Sequence, residues 1–219
     1  MDIVEKHVFF TPKDGKDWQS KPEYPTPSEI LAEQSDVEQL PDNPVDAPWA
    51  SKDKYLAAQY EILRCEAVEG LRYSVRSFAD NRRKDSMMDD DFTNIYTQVR
   101  LKEYVMSNLG PIARVSFSTE RSKYRIQWQQ SRRLQAGNIV ALSPNHDNFK
   151  TICKIATIAQ RPYRDGLDQD PPLVDLLWAN PQDAVLDPKL DMVMIESLHG
   201  YFESARHALI GLQHAANAE

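Results

Sequence analysis

The sequence predicts an α+β fold in which a small antiparallel β-barrel is flanked by a long N-terminal stalk helix and a C-terminal helix. An apolar stripe with helical period follows a proline-rich start, short strand-like runs fill the middle of the chain, and a second helical stripe lies near the end. We therefore expect an extended arm over 1–50, the stalk helix over 51–80, the barrel with loop insertions over 92–196, and the C-terminal helix over 197–219.

The first 50 residues are predicted to form an extended, acidic, proline-rich arm. Seven of the chain's 14 prolines lie here, and proline interrupts both helices and strands. One short helix is expected over 28–33. Aromatic and apolar side chains in such a segment are its natural anchors, so Tyr24, Leu40 and Trp49 are the residues expected to touch a surface, either of this chain or of a partner.

The stalk helix is predicted over 52–78. Ser51 is a suitable N-cap, and Asp53 places an acid in the first turn, where the helix dipole favours it. At 1.5 Å per residue this helix would be roughly 40 Å long. Cys65 lies beside the stripe and is expected to be a buried structural thiol. The stripe alternates spacings of three and four: Leu56, Tyr60, Leu63, Ala67, Leu71, Val75 and Phe78.

Seven short runs rich in β-branched and aromatic residues are predicted strands, with turn residues such as Gly110, Gly137 and Ser143-Pro144 between them. A final helix is expected over 200–216, and it would pair with the stalk helix as a two-helix stalk. The predicted strands are 95–101, 112–118, 124–128, 138–142, 151–158, 173–178 and 191–195.

Charge is strongly segregated along the chain, which has a net charge of −7. The block from Pro111 to Arg164 holds ten Lys/Arg and two acidic residues, whereas the remainder holds 16 basic and 31 acidic residues. This separation indicates either a polyanion-binding face or a basic surface that meets acidic parts of the same protein. The RNA-binding candidates are Arg114, Arg121, Lys123, Arg125, Arg132, Arg133, Lys150 and Lys154.

Aromatic residues interleave with these cations, and aromatic rings stack on bases while cations neutralise phosphates. Tyr124, Trp128 and Phe149 are the aromatics concerned. Trp128 is equally suited to the barrel core, and the arginines to solvated strand faces. Arg132 and Arg133 are the strongest candidates, because a turn between strands presents both outward.

Catalytic chemistry is poorly supported, and we expect no catalytic residue, metal or cofactor in this chain. No GxxxxGK[ST] or GxGxxG phosphate loop occurs, and Cys65 and Cys153 lie too far apart for a metal-ligand spacing. His146-Asp147 has the composition of a turn, and Glu196 with Glu203 lacks supporting neighbours. No apolar run of membrane-spanning length and no signal peptide appear, so an intracellular location is expected.

Several segments together resemble one helicase family. They are PTPSEILAEQ, LPDNPVDAPWASKDKYLAAQYEILRCEAVEGLR, RIQWQQSRRLQAGNIVALSPNHDNFKTICKIATIAQRP and MVMIESLHGYFESARHALIGLQ. The family is the NFX-type zinc-finger-containing helicases, which act in RNA silencing and heterochromatin assembly. The resemblance extends over about residues 22–213.

The resemblance implies a region that precedes a superfamily-1 helicase motor. Its layout is similar to the stalk and barrel subdomain of the nonsense-mediated-decay helicase. In that helicase the subdomain sits over the RNA channel. The resemblance also implies a location in the nucleus or also the cytoplasm, and together with the basic barrel it leads us to expect weak, non-specific binding of single-stranded RNA. This chain lacks a nucleotide-binding motif and the zinc-finger cysteines, so it is expected to be a fragment or a truncated relative without helicase activity.

These observations lead to three alternative hypotheses for the function of the chain. The first is an RNA-contacting accessory module, whose acidic arm could fold over the basic barrel and inhibit binding. The second is a protein-interaction module that docks silencing partners, such as an RNA-dependent RNA polymerase complex, through the arm and stalk. The third, a stand-alone small-molecule enzyme, has the least support.

Overall fold

The computed structural model describes residues 18–32, 40–44, 46–81, 87–108, 110–198 and 202–218. Over these residues the α+β prediction is confirmed: a closed antiparallel barrel lies beside a helical stalk. The helices are α1 (Pro27–Leu31), α2 (Lys52–Asp80) and α3 (Phe202–Ala216), and the strands are β1 (Thr93–Ser107), β2 (Gly110–Ser118), β3 (Ile139–Pro144), β4 (Lys154–Gln160), β5 (Leu173–Trp178) and β6 (Met192–Ser197).

Helix α2 is the predicted stalk and runs two residues further than its apolar stripe. The hydroxyl of Ser51 accepts a hydrogen bond from the Lys54 backbone N–H at 3.2 Å, which makes Ser51 the predicted N-cap. Cys65 is buried, as expected for a structural thiol. No helix of the described ranges is both long and apolar enough to cross a membrane.

The barrel closes in the order β1-β2-β5-β4-β3-β6, and every neighbouring pair is antiparallel. Closure pairs each strand with a neighbour on both sides, except that the tip of the β1–β2 hairpin extends past the ends of β6 and β5. Strand β1 pairs with both β2 and β6. In both pairings the register shifts near Gln98, which has a φ of 51°. The interior is filled by apolar side chains that include Tyr96, Val115, Phe117, Leu142 and Leu176.

A second apolar core joins the barrel to the stalk. Outward-facing residues of β3 and β6, such as Ala141 and Ile195, pack against the stripe of α2. These strands are therefore buried on both faces, which explains why their sequences are apolar without alternation. Phe202 at the start of α3 enters the same core, and Lys52 at the start of α2 donates to the Ala218 carbonyl at 2.8 Å. The two helices run antiparallel, which confirms the predicted two-helix stalk.

The described part of the arm packs on the stalk instead of over the basic barrel. Thr26 and Glu29 form a capping box that starts α1 at Pro27, one residue before the predicted 28–33 helix. Ile30 enters the core shared by stalk and barrel, and the Trp18 ring lies 5.2 Å from the Tyr60 ring. The expectation of a masking arm is therefore wrong for 18–32, while residues 1–17 and 33–39 lie outside the described residues.

The predicted strand over 124–128 is wrong. These residues belong to the β2–β3 connection, 119–138, which folds as hydrogen-bonded turns. The N–H groups of Gln130 and Ser131 both donate to the Gln127 carbonyl, at 3.0 and 2.9 Å. The alternation that suggested a strand has another cause: Trp128 reaches back to the core and Tyr124 points into solvent, so the two do not share a buried face.

The β3–β4 connection is a tight turn organised by Asp147, as its composition predicts. The buried Asp147 carboxylate accepts from the backbone N–H of Thr151 and Ile152 at 3.1 and 2.8 Å, and from the Thr151 hydroxyl at 2.6 Å. Burial alone would raise the pKa of Asp147, but these hydrogen bonds outweigh it and lower the pKa to about 2. The neighbouring His146 is exposed and does not pair with Asp147.

Candidate nucleic-acid interface

The barrel topology sorts the basic candidates between its two ends. In an antiparallel barrel the β2–β3 and β4–β5 connections emerge at one end, and the β1–β2, β3–β4 and β5–β6 connections at the other. We call the first of these the basic end, defined by residues 119–138 and 161–172. Five of the eight candidates lie on its β2–β3 connection: Arg121, Lys123, Arg125, Arg132 and Arg133.

The other three candidates lie elsewhere. Arg114 is on the barrel wall and donates to the fully buried Asp175 at 2.7 Å and to Glu103 at 3.1 Å. The hydrogen bond that Arg114 donates to Asp175 raises the pKa of Arg114 and holds this guanidinium in the wall. Lys154 is at the opposite end and pairs with Asp183 at 3.0 Å. Lys150 is exposed on the β3–β4 turn, also at that end.

The five cations of the basic end are not equally available. Lys123, Arg125 and Arg132 are exposed, and within the described residues they make no ion pair. Arg121 is half-buried and donates to the Met87 carbonyl at 3.3 Å. The solvent-facing charge of the connection therefore comes from Lys123, Arg125 and Arg132.

Arg133, one of the two strongest candidates from the sequence, is part of the scaffold. Its guanidinium donates to the buried carboxylate of Asp89 at 2.5 Å, and Asp89 also accepts from the Ile95 N–H at 2.8 Å. Burial alone would lower the pKa of Arg133, but the hydrogen bond with Asp89 outweighs it and raises the pKa. This ion pair links the β2–β3 connection to the residues just before β1.

A buried carboxylate holds the part of the β2–β3 connection that follows Arg132. Glu196, 1% exposed at the end of β6, accepts from the Leu134 backbone N–H at 2.7 Å and from the Asn138 side-chain amide at 3.0 Å. It also accepts from the Tyr96 hydroxyl at 2.8 Å and the Asn94 side-chain amide at 3.0 Å. Four donors therefore converge on one carboxylate, which fixes the residues that follow Arg132.

The protonation state of Tyr96 follows from this arrangement. Burial, followed by the nearby Glu196 carboxylate, raises the pKa of Tyr96 well above its ordinary value, so its hydroxyl stays a donor. Glu203, which the sequence offered as a carboxylate partner of Glu196, instead pairs with Arg206 on α3. The two glutamates do not form a catalytic pair.

The three aromatic candidates differ in burial. Trp128 is half-buried, with its ring 5.8 Å from the Phe117 ring and the Arg161 guanidinium 5.9 Å from its centroid, so it serves the core. Phe149 is buried, with its ring 6.0 Å from that of Phe78. Tyr124 is 83% exposed, which leaves it as the one member of this trio whose ring is free to stack.

A match to a family model coincides with the barrel. The model of the ZNFX1 domain matches residues 88–198, from just before β1 to just after β6. The chain belongs to the ZNFX1 domain family. This finding confirms the resemblance that the sequence motifs indicated.

Similar proteins extend the relationship beyond the barrel of this ZNFX1 domain. The helicase required for RNAi-mediated heterochromatin assembly 1 of Schizosaccharomyces pombe is 34% identical over 200 residues, which is 91% of this chain and 19% of that protein. The NFX1-type zinc finger-containing protein 1 of human is 30% identical over 207 residues, 90% of this chain and 10% of that protein. The chain thus spans at most about a fifth of the length of these relatives.

The β4–β5 connection of the ZNFX1 domain contributes cations that the sequence analysis counted but did not select. Arg161 donates to the Trp128 carbonyl at 2.6 Å, and burial lowers the pKa of Arg161. Arg164 is exposed beside it. Asp165, Asp168 and Asp170 are exposed on the same connection, so the net positive charge of this end centres on residues 119–138.

The partner-binding candidates of the ZNFX1 domain chain lie on the stalk. The Tyr24 ring packs on Phe202 with centroids 6.0 Å apart, and Arg206 covers it at 5.7 Å. Trp49 is half-buried against Tyr55 at 5.5 Å, with Tyr55 itself 43% exposed. Both predicted anchors therefore contact their own chain, and the Trp49–Tyr55 pair keeps an exposed surface.

Nucleophilic and metal chemistry gain no support from the described part of the ZNFX1 domain chain. Burial raises the pKa of the Cys153 thiol to about 12, so this thiol is not a nucleophile near neutral pH. Within the described ranges, no group of three or more His, Cys, Asp or Glu side chains is placed to hold a metal ion.

Proposed function

We propose that this chain is a non-catalytic module that contacts single-stranded RNA through the basic end of its barrel, within a helicase that acts in RNA silencing. The observation that carries the proposal is the β2–β3 connection. It presents Lys123, Arg125 and Arg132 to solvent without ion-pair partners among the described residues, while Glu196 and the Asp89–Arg133 pair hold its backbone.

Such a surface suits phosphate contacts better than base-specific readout. Cations on a fixed connection neutralise phosphates by releasing counterions, and this gives weak, salt-sensitive binding without sequence preference. A relative's name describes a helicase required for RNAi-mediated heterochromatin assembly. We accordingly place this module in the nucleus, where it would guide an RNA strand toward the motor of the complete helicase.

Binding of a fluorescently labelled single-stranded RNA, followed by anisotropy across a salt series, tests the proposal. Three phosphate contacts on a single strand predict that the logarithm of the association constant falls with the logarithm of salt concentration with a slope of roughly −2. The dependence arises because each contact releases counterions. Binding that is absent even at low salt, or that does not change with salt, would contradict the proposal.

A second candidate function is docking of a silencing protein, such as an RNA-dependent RNA polymerase complex, on the stalk. The observation that favours it is the Trp49–Tyr55 pair at the start of α2, because exposed aromatic residues are enriched at protein interfaces. This surface lies on a different element from the basic end. A variant with Trp49 replaced by alanine therefore separates the two functions, since it leaves RNA affinity unchanged.

A further inference from the structure

A shallow, open groove lies on the β2–β3 connection around Tyr124. The groove has a volume of about 320 Å³ and is lined by Tyr124, Arg125, Gln127, Gln130, Ser131 and Arg133, among others. Its size is at the lower end for small-ligand sites and suits a single nucleotide. Tyr124, at 83% exposed, is the most solvent-accessible aromatic residue of the described chain, and its ring contacts no other aromatic ring there.

The backbone around the groove is fixed before any ligand binds. The Ser122 hydroxyl donates to the Tyr124 carbonyl at 2.8 Å, which holds the residue that carries the exposed ring. On the far side, Gln130 and Ser131 donate to the Gln127 carbonyl and close a turn. Arg133 is locked by Asp89 at 2.5 Å. An exposed ring on an ordered backbone loses little conformational freedom when a ligand covers it, which favours binding.

The chemistry of the lining identifies that partner. A tyrosine ring offers a flat apolar face, and the side-chain amides of Gln127 and Gln130 offer both donors and acceptors. Arg125 supplies a positive charge at the rim. A flat ring with a hydrogen-bonding edge, joined to an anionic group, is the description of a nucleotide, and base stacking on aromatic rings tolerates any base.

We propose that this groove is a base-stacking subsite in which Tyr124 stacks on one nucleobase of a bound single strand. Gln127 and Gln130 face the edge of that base, and Arg125 contacts the adjoining phosphate. The inference rests on the proposed RNA contact and adds a base-dependent component to it. The phosphate contacts of Lys123, Arg125 and Arg132 bring the strand to this end, and Tyr124 fixes its register.

Two labelled probes separate the subsite from the backbone contacts. One is an oligouridine about ten nucleotides long, and the other is a ribose-phosphate chain of equal length without bases. Tyr124→Ala should weaken oligouridine binding about 5- to 100-fold and leave the abasic chain unaffected, because only the former stacks. Tyr124→Phe keeps the ring and should retain the affinity. Tyr104→Ala, at an exposed tyrosine of the opposite end, is the matched control and should change neither probe.

The outcomes distinguish the two proposals. Wild-type protein that binds both probes equally, or a Tyr124→Ala variant that binds oligouridine as well as wild type does, would overturn the subsite and leave the backbone contact standing. An equal loss of both probes in Tyr124→Ala would also overturn it. Wild-type protein that binds neither probe would overturn the proposed RNA function together with the subsite.

Discussion

Replacing Glu196 with glutamine is expected to lower the free energy of unfolding by about 3–5 kcal/mol. The carboxylate accepts from the Tyr96 hydroxyl, the Leu134 N–H and the side-chain amides of Asn94 and Asn138. Glutamine has nearly the same shape, but its amide NH₂ cannot accept a hydrogen bond. At least one buried donor would then face another donor, and the charge that attracts all four would be lost.

Urea denaturation of wild type and Glu196→Gln measures this loss. The matched control is Glu103→Gln, which makes the same chemical change at an exposed residue that pairs with Arg114. The control should shift the free energy of unfolding by less than about 0.5 kcal/mol, because surface ion pairs contribute little. A Glu196→Gln variant whose stability matches that of Glu103→Gln would show that this carboxylate does not hold the basic connection.

Replacing Arg64 with alanine is expected to cost about 3–5 kcal/mol and to release the arm from the stalk. The Arg64 guanidinium is 3% exposed, donates to Glu29 at 2.7 and 3.0 Å, and also reaches the carbonyls of Pro22 and Tyr24. Removal leaves the Glu29 carboxylate without its cation and two carbonyls without a donor. Arg72, also buried on α2, donates to the Glu29 carbonyl at 2.8 Å, but it does not reach the Glu29 carboxylate or the carbonyls of the preceding residues.

The pH dependence of stability gives this prediction a second readout. Burial alone would raise the pKa of Glu29, but the hydrogen bond and charge of Arg64 outweigh it and lower the pKa. A lowered folded-state pKa means that Glu29 adds stability above the pKa of a free glutamate, about 4.3, and that this stability is lost as the pH falls below it. In Arg64→Ala this acid-sensitive contribution should disappear.

Denaturation at neutral and acidic pH, together with limited digestion by a glutamate-specific protease at Glu23, measures both effects. Lys52→Ala is the control, because Lys52 is exposed and bonds only to the Ala218 carbonyl within the described residues. The control should resist cleavage at Glu23 as wild type does. An Arg64→Ala variant that keeps both its stability and its protection at Glu23 would show that Arg64 does not hold the arm on the stalk.

The elements that the sequence predicted well are those whose signal is local. The α2 stripe repeats every three or four residues over more than six turns, and its N-cap Ser51 is adjacent in the chain. Strands β3 and β6 are apolar on both faces because the barrel interior and the stalk bury one face each. Such patterns can be recognised without knowing which residues from distant parts of the sequence are in contact with them.

The errors came from contacts between residues far apart in the chain. The cation count of the basic block is correct, but Arg114 is neutralised by Asp175, which strand pairing places beside it from 61 residues away. Arg133 meets Asp89 across 44 residues in the same way. Strand register determines the first pair, and the packing of the β2–β3 connection against the residues before β1 determines the second. The role of Glu196 was missed for the same reason, although a glutamate that ends the apolar run Met-Val-Met-Ile could have signalled a buried carboxylate.

These pairs decide how the RNA surface should be tested. Charge reversal at Arg133 would place two carboxylates together at Asp89 and damage the fold, so it cannot report on RNA contact. Arg125 and Arg132 are exposed and lack ion-pair partners among the described residues, so their reversal leaves the scaffold intact. Lys150 and Lys189 are exposed lysines of the opposite end and provide a reversal with the same change in net charge.

The most direct measurement is therefore RNA binding by two charge-matched double variants at low salt. The account predicts that Arg125→Glu/Arg132→Glu weakens binding of single-stranded RNA about 10- to 100-fold, while Lys150→Glu/Lys189→Glu stays within about twofold of wild type. This result would locate the contact at the basic end. Equal losses in the two variants would mean that RNA responds only to net charge, and would contradict the claim that this end of the barrel is its binding surface.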